Sequence, residues 1–322
     1  MPARYMRNTA ILAKIESTYG VDSTPTEGAN AILVSNVSID PLNATNVDRD
    51  LIRPYLGNSE QLVGTAYVGI TFDVELAGSG TAGTAPAYGP LLRACGFAET
   101  ATGGVRTEYN PVTPVADSVV IYWFSDGVKH IAKGCRGNFA VKMGVSGRPV
   151  LSFSFQGIDG GVTAATPSAL TLTGFKTPAV ITDANTGDVT FGCTYTAATP
   201  TLTGGTGYPS QGLELDIGNA VNYTPLLGGE TVDISQRSVT GSLALDLTAA
   251  QEVTFMGTVK ANTTQAMGLM HGTSAGYKAM IFMPAVQIIN PKKVDVNGKL
   301  MIGFDFRAVP SSGNDELKIV IH

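Results

Sequence analysis

The sequence predicts a mainly β protein of two tandem, duplicated β-sandwich or barrel-like domains, each with one flanking α-helix. Three observations carry that prediction. Apolar residues alternate with small or polar ones over many short segments, the period-two signature of half-buried strands. Asn-Gly and Asp-Gly pairs separate some of these segments, and such pairs supply the positive φ angles of tight hairpins. One alternating segment also occurs twice, once in each half of the chain.

The repeat sets the domain boundaries. Gly147-Arg-Pro-Val-Leu-Ser-Phe-Ser-Phe-Gln-Gly-Ile158 aligns with Gly298-Lys-Leu-Met-Ile-Gly-Phe-Asp-Phe-Arg-Ala-Val309. Leu151, Phe153 and Phe155 thereby match Ile302, Phe304 and Phe306 as a repeat-equivalent core. A turn precedes each copy, at Ser146-Gly147 and at Asn297-Gly298, and the second makes Lys293 to Arg307 a hairpin. Earlier in each half, Ala66 to Leu76 is matched by Val239 to Leu247. In the first of these strands Ile70, Phe72 and Val74 share one face, with Thr71, Asp73 and Glu75 on the other.

A helix follows each of those strands, Pro86 to Cys95 closed by Gly96, and Ala249 to Val259. Proline suits a first helical turn and glycine a C-terminal stop. Next come Ser118 to Phe124 and Val128 to Lys133 across Asp126-Gly127, and Tyr277 to Met283 in the second half. A last strand covers Glu316 to Ile321. The expected division is a first domain with an N-terminal arm at 1–160, a Gly/Thr-rich connector at 161–211, and a second domain at 212–322. Extra strands are expected in the connector at Ala169 to Thr173 and Asp188 to Thr196.

Composition narrows the class. Only 15% of the 322 residues are charged, against about 25% in ordinary soluble proteins. Such a chain has little charge to keep a broad surface solvated, which favours a surface largely covered by partners. The 26 acidic and 21 basic residues give a net charge of −5 without a basic cluster, so the counterion-releasing footprint of a tight duplex binder is missing. No apolar run is long enough to span a membrane, and the start lacks the features of a signal peptide. Cys95, Cys135 and Cys193, odd in number and far apart, read as free thiols of a protein assembled in cytoplasm.

Motifs with chemical potential fail on context. Gly272-Thr-Ser274-Ala-Gly276 fits G-x-S-x-G, but a nucleophile elbow needs a strand before and a helix after, and the order here is reversed. Gly78-Ser-Gly80-Thr-Ala-Gly83 fits G-x-G-x-x-G. A dinucleotide-binding strand is apolar on both faces, whereas this one alternates with Asp73 and Glu75. His130, His271 and His322 have no metal-ligand spacing, and around Asp295-Val-Asn297 a calcium loop would need acids where Lys293 and Phe304 stand. Glycosylation acceptors such as Asn36-Val-Ser38 matter only in secretion. Plain turns and solvated strands account for these residues. No catalytic, cofactor or metal site is expected, and the protein reads as a building block, not an enzyme.

Ile11-Leu-Ala-Lys-Ile-Glu-Ser-Thr-Tyr-Gly20, the Thr24-Pro25 turn and Ala31-Ile-Leu-Val-Ser-Asn36 resemble the start of tail tube (major tail) proteins of long-tailed bacteriophages. Gly69 to Leu76 leading to Tyr88-Gly-Pro-Leu-Leu-Arg-Ala-Cys-Gly96 is similar too, and the order Val119 to Lys133, Gly137 to Met143, Leu151 to Ile158 completes the likeness. It continues more weakly through Gly212 to Asp246. The resemblance implies a β-sandwich or barrel unit with a flanking helix, polymerised into a hollow virion tube through which DNA leaves. It implies as partners further copies of the chain and the tail terminator, tape measure and distal tail proteins, with no membrane. Some members carry an added immunoglobulin-like surface domain, and none is expected here. Flexible and contractile tails are not separated by the sequence. A β-sandwich adhesin or decoration module is the alternative, and a hydrolase built on Ser274 a more distant one.

Size makes the duplication functional within that family reading. A domain of about 160 residues is a body roughly 35–40 Å across, and six in a ring leave a hole of about the same width. Three would leave only about 6 Å. Since one chain supplies two bodies, three chains suffice for a ring with pseudo-sixfold symmetry. Asp73, Glu75, Asp246 and Asp305 are the lumen-facing candidates, with solvation of an outer sheet face the equal alternative, because alternation does not say which face is inside. Asn43 to Leu62 and the arm Met1 to Thr26 are candidate mobile segments reaching the next ring, with Arg49, Asp50 and Arg53 offering ion pairs there.

Overall fold

A computed structural model of the chain describes residues 3–5 and 7–322. Strands hold 53% of the residues and helices 6%, so sheet pairing decides the architecture. The first half contains β1 (Thr9–Ile15), β2 (Ala31–Ile32), β3 (Ser35–Asp48), β4 (Gln61–Glu75) and α1 (Gly89–Ala94). It continues with β5 (Phe97–Thr102), β6 (Arg106–Pro111), β7 (Val119–Ser125), β8 (Val128–Gly144) and β9 (Val150–Ala164). The second half opens with β10 (Val189–Phe191), β11 (Thr194–Thr196), β12 (Thr201–Thr203), β13 (Thr206–Tyr208) and β14 (Ser210–Asp216). There follow β15 (Ala220–Leu226), β16 (Gly229–Gln236), β17 (Thr240–Leu245), α2 (Ala249–Lys260), β18 (Thr264–His271), β19 (Ala279–Val296), β20 (Lys299–Ala308) and β21 (Lys318–Ile321).

Eight of these strands run side by side, antiparallel, in the order β3–β4–β9–β8–β14–β17–β20–β19. Two glycine-containing turns fold the chain back sharply where the sequence calls for hairpins. Asp126 and Gly127 adopt φ of 41° and 89° between β7 and β8, and Asn297 and Gly298 adopt 54° and 82° between β19 and β20. Positive φ at both central residues matches the right-handed strand twist.

The pairing in the two halves follows one pattern. Phe72 lies opposite Phe153 and Val74 opposite Leu151 in the first half. Leu243 lies opposite Phe304 and Leu245 opposite Ile302 in the second. On their other edges β1 bonds to β7, and β10 to β18. The first four strands of the eight belong to the first half and the last four to the second, joined where β8 meets β14. A second junction forms where β21 bonds to both β19 and β6.

Apolar faces gather in one buried cluster that runs through both halves and includes Leu151, Phe153, Phe155, Ile302, Phe304 and Phe306. Phe153 stacks among Phe72, Phe139 and Phe155 with ring centroids 5.6–5.8 Å apart. Phe304 meets Phe255 of α2 at 5.5 Å. α2 begins at a capping box in which Thr248 accepts from the Gln251 backbone and the Gln251 side chain accepts from Thr248. That reciprocal pair satisfies two otherwise orphaned donors. A smaller cluster, Ala10, Leu12, Val120, Tyr122 and Phe124, lies on the opposite face of β1 and β7.

Several local expectations are corrected. α1 starts at Gly89 with Pro90 in its first turn, and Pro86 instead accepts a turn hydrogen bond from Gly89. Ala169 to Thr173 forms no strand: its few apolar side chains find no sheet edge, and Leu172 packs on the smaller cluster. Asp188 to Thr196 is interrupted at Gly192, where φ is +72°. Asn43 to Asp48 and Gln61 to Leu62 pair as strand, which leaves only 49–60 as loop. The expected N-terminal arm contains β1, a sheet strand paired with β7, and its residues Met1, Pro2 and Met6 lie outside the described residues.

Candidate functional site

The broadest polar feature is the face of the eight-strand sheet opposite the core. Directly paired residues share a face, so register alone assigns membership. One transverse row runs Glu75, Val150, Lys142, Glu214, Ser242, Asp305. The next runs Asp73, Ser152, Ala140, Asp216, Thr240, Arg307. Asp246 stands two residues beyond Ala244 on the same side of β17. Asp73, Glu75, Asp246 and Asp305 therefore share this one face and are half-buried.

Each of the four carboxylates has a donor beside it. The Asn36 amide donates to Asp73 at 2.7 Å, and Arg148 pairs with Glu75 at 2.9 Å. Lys299 pairs with Asp246, and Lys292 with Asp305 at 3.4 Å, where Asn290 also donates. Such exposed pairs contribute about 0–1 kcal/mol each. Their effect on the field is local, since each donor offsets part of one carboxylate's charge.

Arg49, Asp50 and Arg53 occupy the loop between β3 and β4. Arg49 and Arg53 both turn back to Glu60 of the same loop, so the two cations staple it. The neighbouring side chains Ile52 and Leu56 are fully exposed, with Tyr55 largely so. The matching position in the second half, between β14 and β17, carries the β15–β16 hairpin. That hairpin lies against the first half: Asp233 pairs with Arg136, the Tyr19 hydroxyl accepts from Val232, and Tyr223 meets Tyr67 with centroids 5.4 Å apart.

Sequence reading missed three buried polar knots that tie the halves and layers together. Glu16 accepts from Ser118 and from the backbone of Gly134 and Gly20. Glu108 accepts from Arg106, Tyr195 and Lys318. Burial works against its ionisation, yet the bonds from Tyr195 and Arg106 hold its carboxyl below the usual range. Arg237 pairs with Glu316. No spacing in the sequence marks these groups, because each also needs a partner far along the chain.

The two glycine motifs prove to be one contact. Gly80 donates to the carbonyl of Gly276 at 3.0 Å, and a Cβ on Gly78 would fall 1.9 Å from that same oxygen. Glycine is needed there because two backbones from different halves touch. Ser274 sits in the turn and its carbonyl accepts from Tyr277. Burial raises the thiol pKa of Cys95, Cys135 and Cys193, which keeps them protonated. His271 is buried between Thr186 and the Ala179 carbonyl with its pKa lowered by desolvation. Among the described residues no group of three or more His, Cys, Asp or Glu is placed to hold a metal, and no helix is long and apolar enough to cross a membrane.

No curated protein matches the chain. A family model described as phage tail tube protein matches residues 6–308. That span includes the eight-strand sheet, its polar face and both helices, and it shows that the chain belongs to the phage tail tube protein family.

Proposed function

We propose that this chain polymerises as stacked rings of three copies into the hollow tail tube through which genomic DNA is ejected into the host. In this reading the chain is a tandem duplication, with domains at 1–160 and 212–322 and a connector at 161–211. Three copies then give pseudo-sixfold symmetry. The observation that carries the reading is the eight-strand sheet, in which two four-strand sets follow one another in the same order within a single chain.

A strand count supports three copies independently of body size. Strands about 4.8 Å apart and tilted about 40° give a twenty-four-strand wall a backbone diameter of about 48 Å. Side chains narrow that to about 35–40 Å, enough for a duplex, whereas six chains would double the diameter. Head-to-tail contacts close the ring, and a second, axial interface stacks rings into a filament.

The polar face, with Asp73, Glu75, Asp246 and Asp305, then lines the lumen. Carboxylates outnumber cations in its two rows, which suits DNA that must slide, because an excess of cations would add phosphate affinity. The 49–60 loop supplies axial contacts. With Arg49 and Arg53 engaged by Glu60, exposed Ile52 and Leu56 join Asp50 as the groups free to meet the next ring. Assembly takes place in the host cytoplasm, with the tail terminator, tape measure and distal tail proteins as further partners.

Negative-stain microscopy of the purified chain tests this function. Hollow filaments or stacked rings are expected at high concentration. A monomer or a single closed oligomer that never stacks would instead fit a decoration or adhesin module.

A further inference from the structure

We infer that neighbouring copies join by repeating the chain's own β8–β14 seam, the outer edge of β3 pairing with the free end of β19 in the same register. This rests on the proposed ring and adds which edges meet and which residues face one another.

Both edges are open within one chain. Among the described residues β3 is bonded to β4 alone, while β14, at the matching place beside β17, is bonded on its other edge to β8. β8 shares that edge between β7, over residues 129–135, and β14, over residues 140–144. β19 is bonded to β18 over residues 279–287, and from Ile288 to Val296 the same edge has no strand beside it among the described residues. Unpaired edges of this length are templates for further pairing.

Burial along the strands fits a missing neighbour. In β14, Leu213 and Leu215 are 1% and 2% exposed beneath the seam. In β3, Val37 and Ile39 alternate in the same way against the core but stay half-exposed. A strand laid along β3 would cover them and gain roughly 25 cal/mol for each Å² of apolar surface removed from water.

Register follows from the cross-strand partners. Glu214 and Ser38 lie opposite Ser242 and Thr71, and Leu215 and Ile39 lie opposite Gly241 and Ile70. Asp216 and Asp40 lie opposite Thr240 and Gly69. On the other strand Lys142, Val141 and Ala140 lie opposite Val150, Leu151 and Ser152. Val294, Lys293 and Lys292 lie opposite Met301, Ile302 and Gly303. The internal pairs are Glu214–Lys142, Leu215–Val141 and Asp216–Ala140. Carried over, Ser38 faces Val294, Ile39 faces Lys293 and Asp40 faces Lys292 of the next copy.

The chemistry at those positions suits the pairing. Asp40 and Lys292 fall on the polar face, so one opposite-charge pair crosses the new seam as Glu214 and Lys142 oppose each other across the old one. Lys293, tethered to Glu252 of α2 at 3.5 Å, can lay its aliphatic stem over Ile39. Two adjacent lysines on the β19 edge also discourage that edge from pairing with its own copy, which selects β3 as partner.

Paired cysteines test the register. Ser38→Cys with Val294→Cys, placed in the full chain and gently oxidised in assembled tubes, should yield covalent dimers and trimers on a non-reducing gel. The yield should be about tenfold above either single variant or Asp40→Cys with Val294→Cys, since only directly opposed strand residues lie within disulfide reach. Tubes that form normally without that crosslink would overturn the seam and leave the tube intact. Wild-type protein that never assembles would overturn both. Should the cysteine pair itself block assembly, a charge reversal decides. Asp40→Lys should reduce tube yield, and adding Lys292→Gln, which leaves Asn290 donating to Asp305, should restore it, while an Asp40→Lys variant that assembles like the wild type would reject the seam.

Discussion

Phe153 and Phe304 show what a single side chain can report. Both are 2% exposed, and each sits opposite an apolar residue of the neighbouring strand in the same relative register. Truncating either to Ala should cost about 3–5 kcal/mol of stability, the range for buried aromatics. Chemical denaturation of the unassembled chain measures this, and a cost below about 1 kcal/mol at either position would place it outside the core. Alternation in the sequence made these two legible, because a period of two assigns faces without knowing partners. Glu108, Glu16 and Arg136 were not legible: each takes at least one partner from many residues away, and one sequence holds no trace of which distant groups converge.

Strands and hairpins followed local rules closely, because Asp126-Gly127 and Asn297-Gly298 meet the backbone demands of their turns directly. Elements departed from expectation where two prolines competed, as at Pro86 and Pro90, or where alternation ran without a sheet edge to join, as at Ala169 to Thr173. The polar face was half legible. That Asp73 and Glu75 share a side follows from spacing, whereas their alignment with Asp305 depends on the β8–β14 junction. The arm between β3 and β4 carries the prediction at this scale. Ile52→Asp with Leu56→Asp leaves the ring seam untouched and places charge where we assign the axial contact. Rings should persist while filament length, measured by microscopy, collapses. Filaments of ordinary length would remove this loop from the axial interface.

For the whole molecule, the governing feature is that one chain already contains one junction between two like-ordered strand sets. A sheet that ends in two open edges, β3 at one side and part of β19 at the other, invites closure by further copies rather than by itself. Low charge and one large core cluster through both halves fit a subunit whose remaining surface is covered on assembly. At fixed strand spacing and tilt, the lumen of the proposed tube depends on how many such sheets join, which makes the copy number the central claim. Cryo-microscopy of tubes with helical reconstruction measures it directly. The expected result is three chains per ring, with twenty-four strands in the inner wall and near-sixfold density at low resolution. Six chains per ring, or a wall in which the eight strands of one chain are not contiguous, would contradict it.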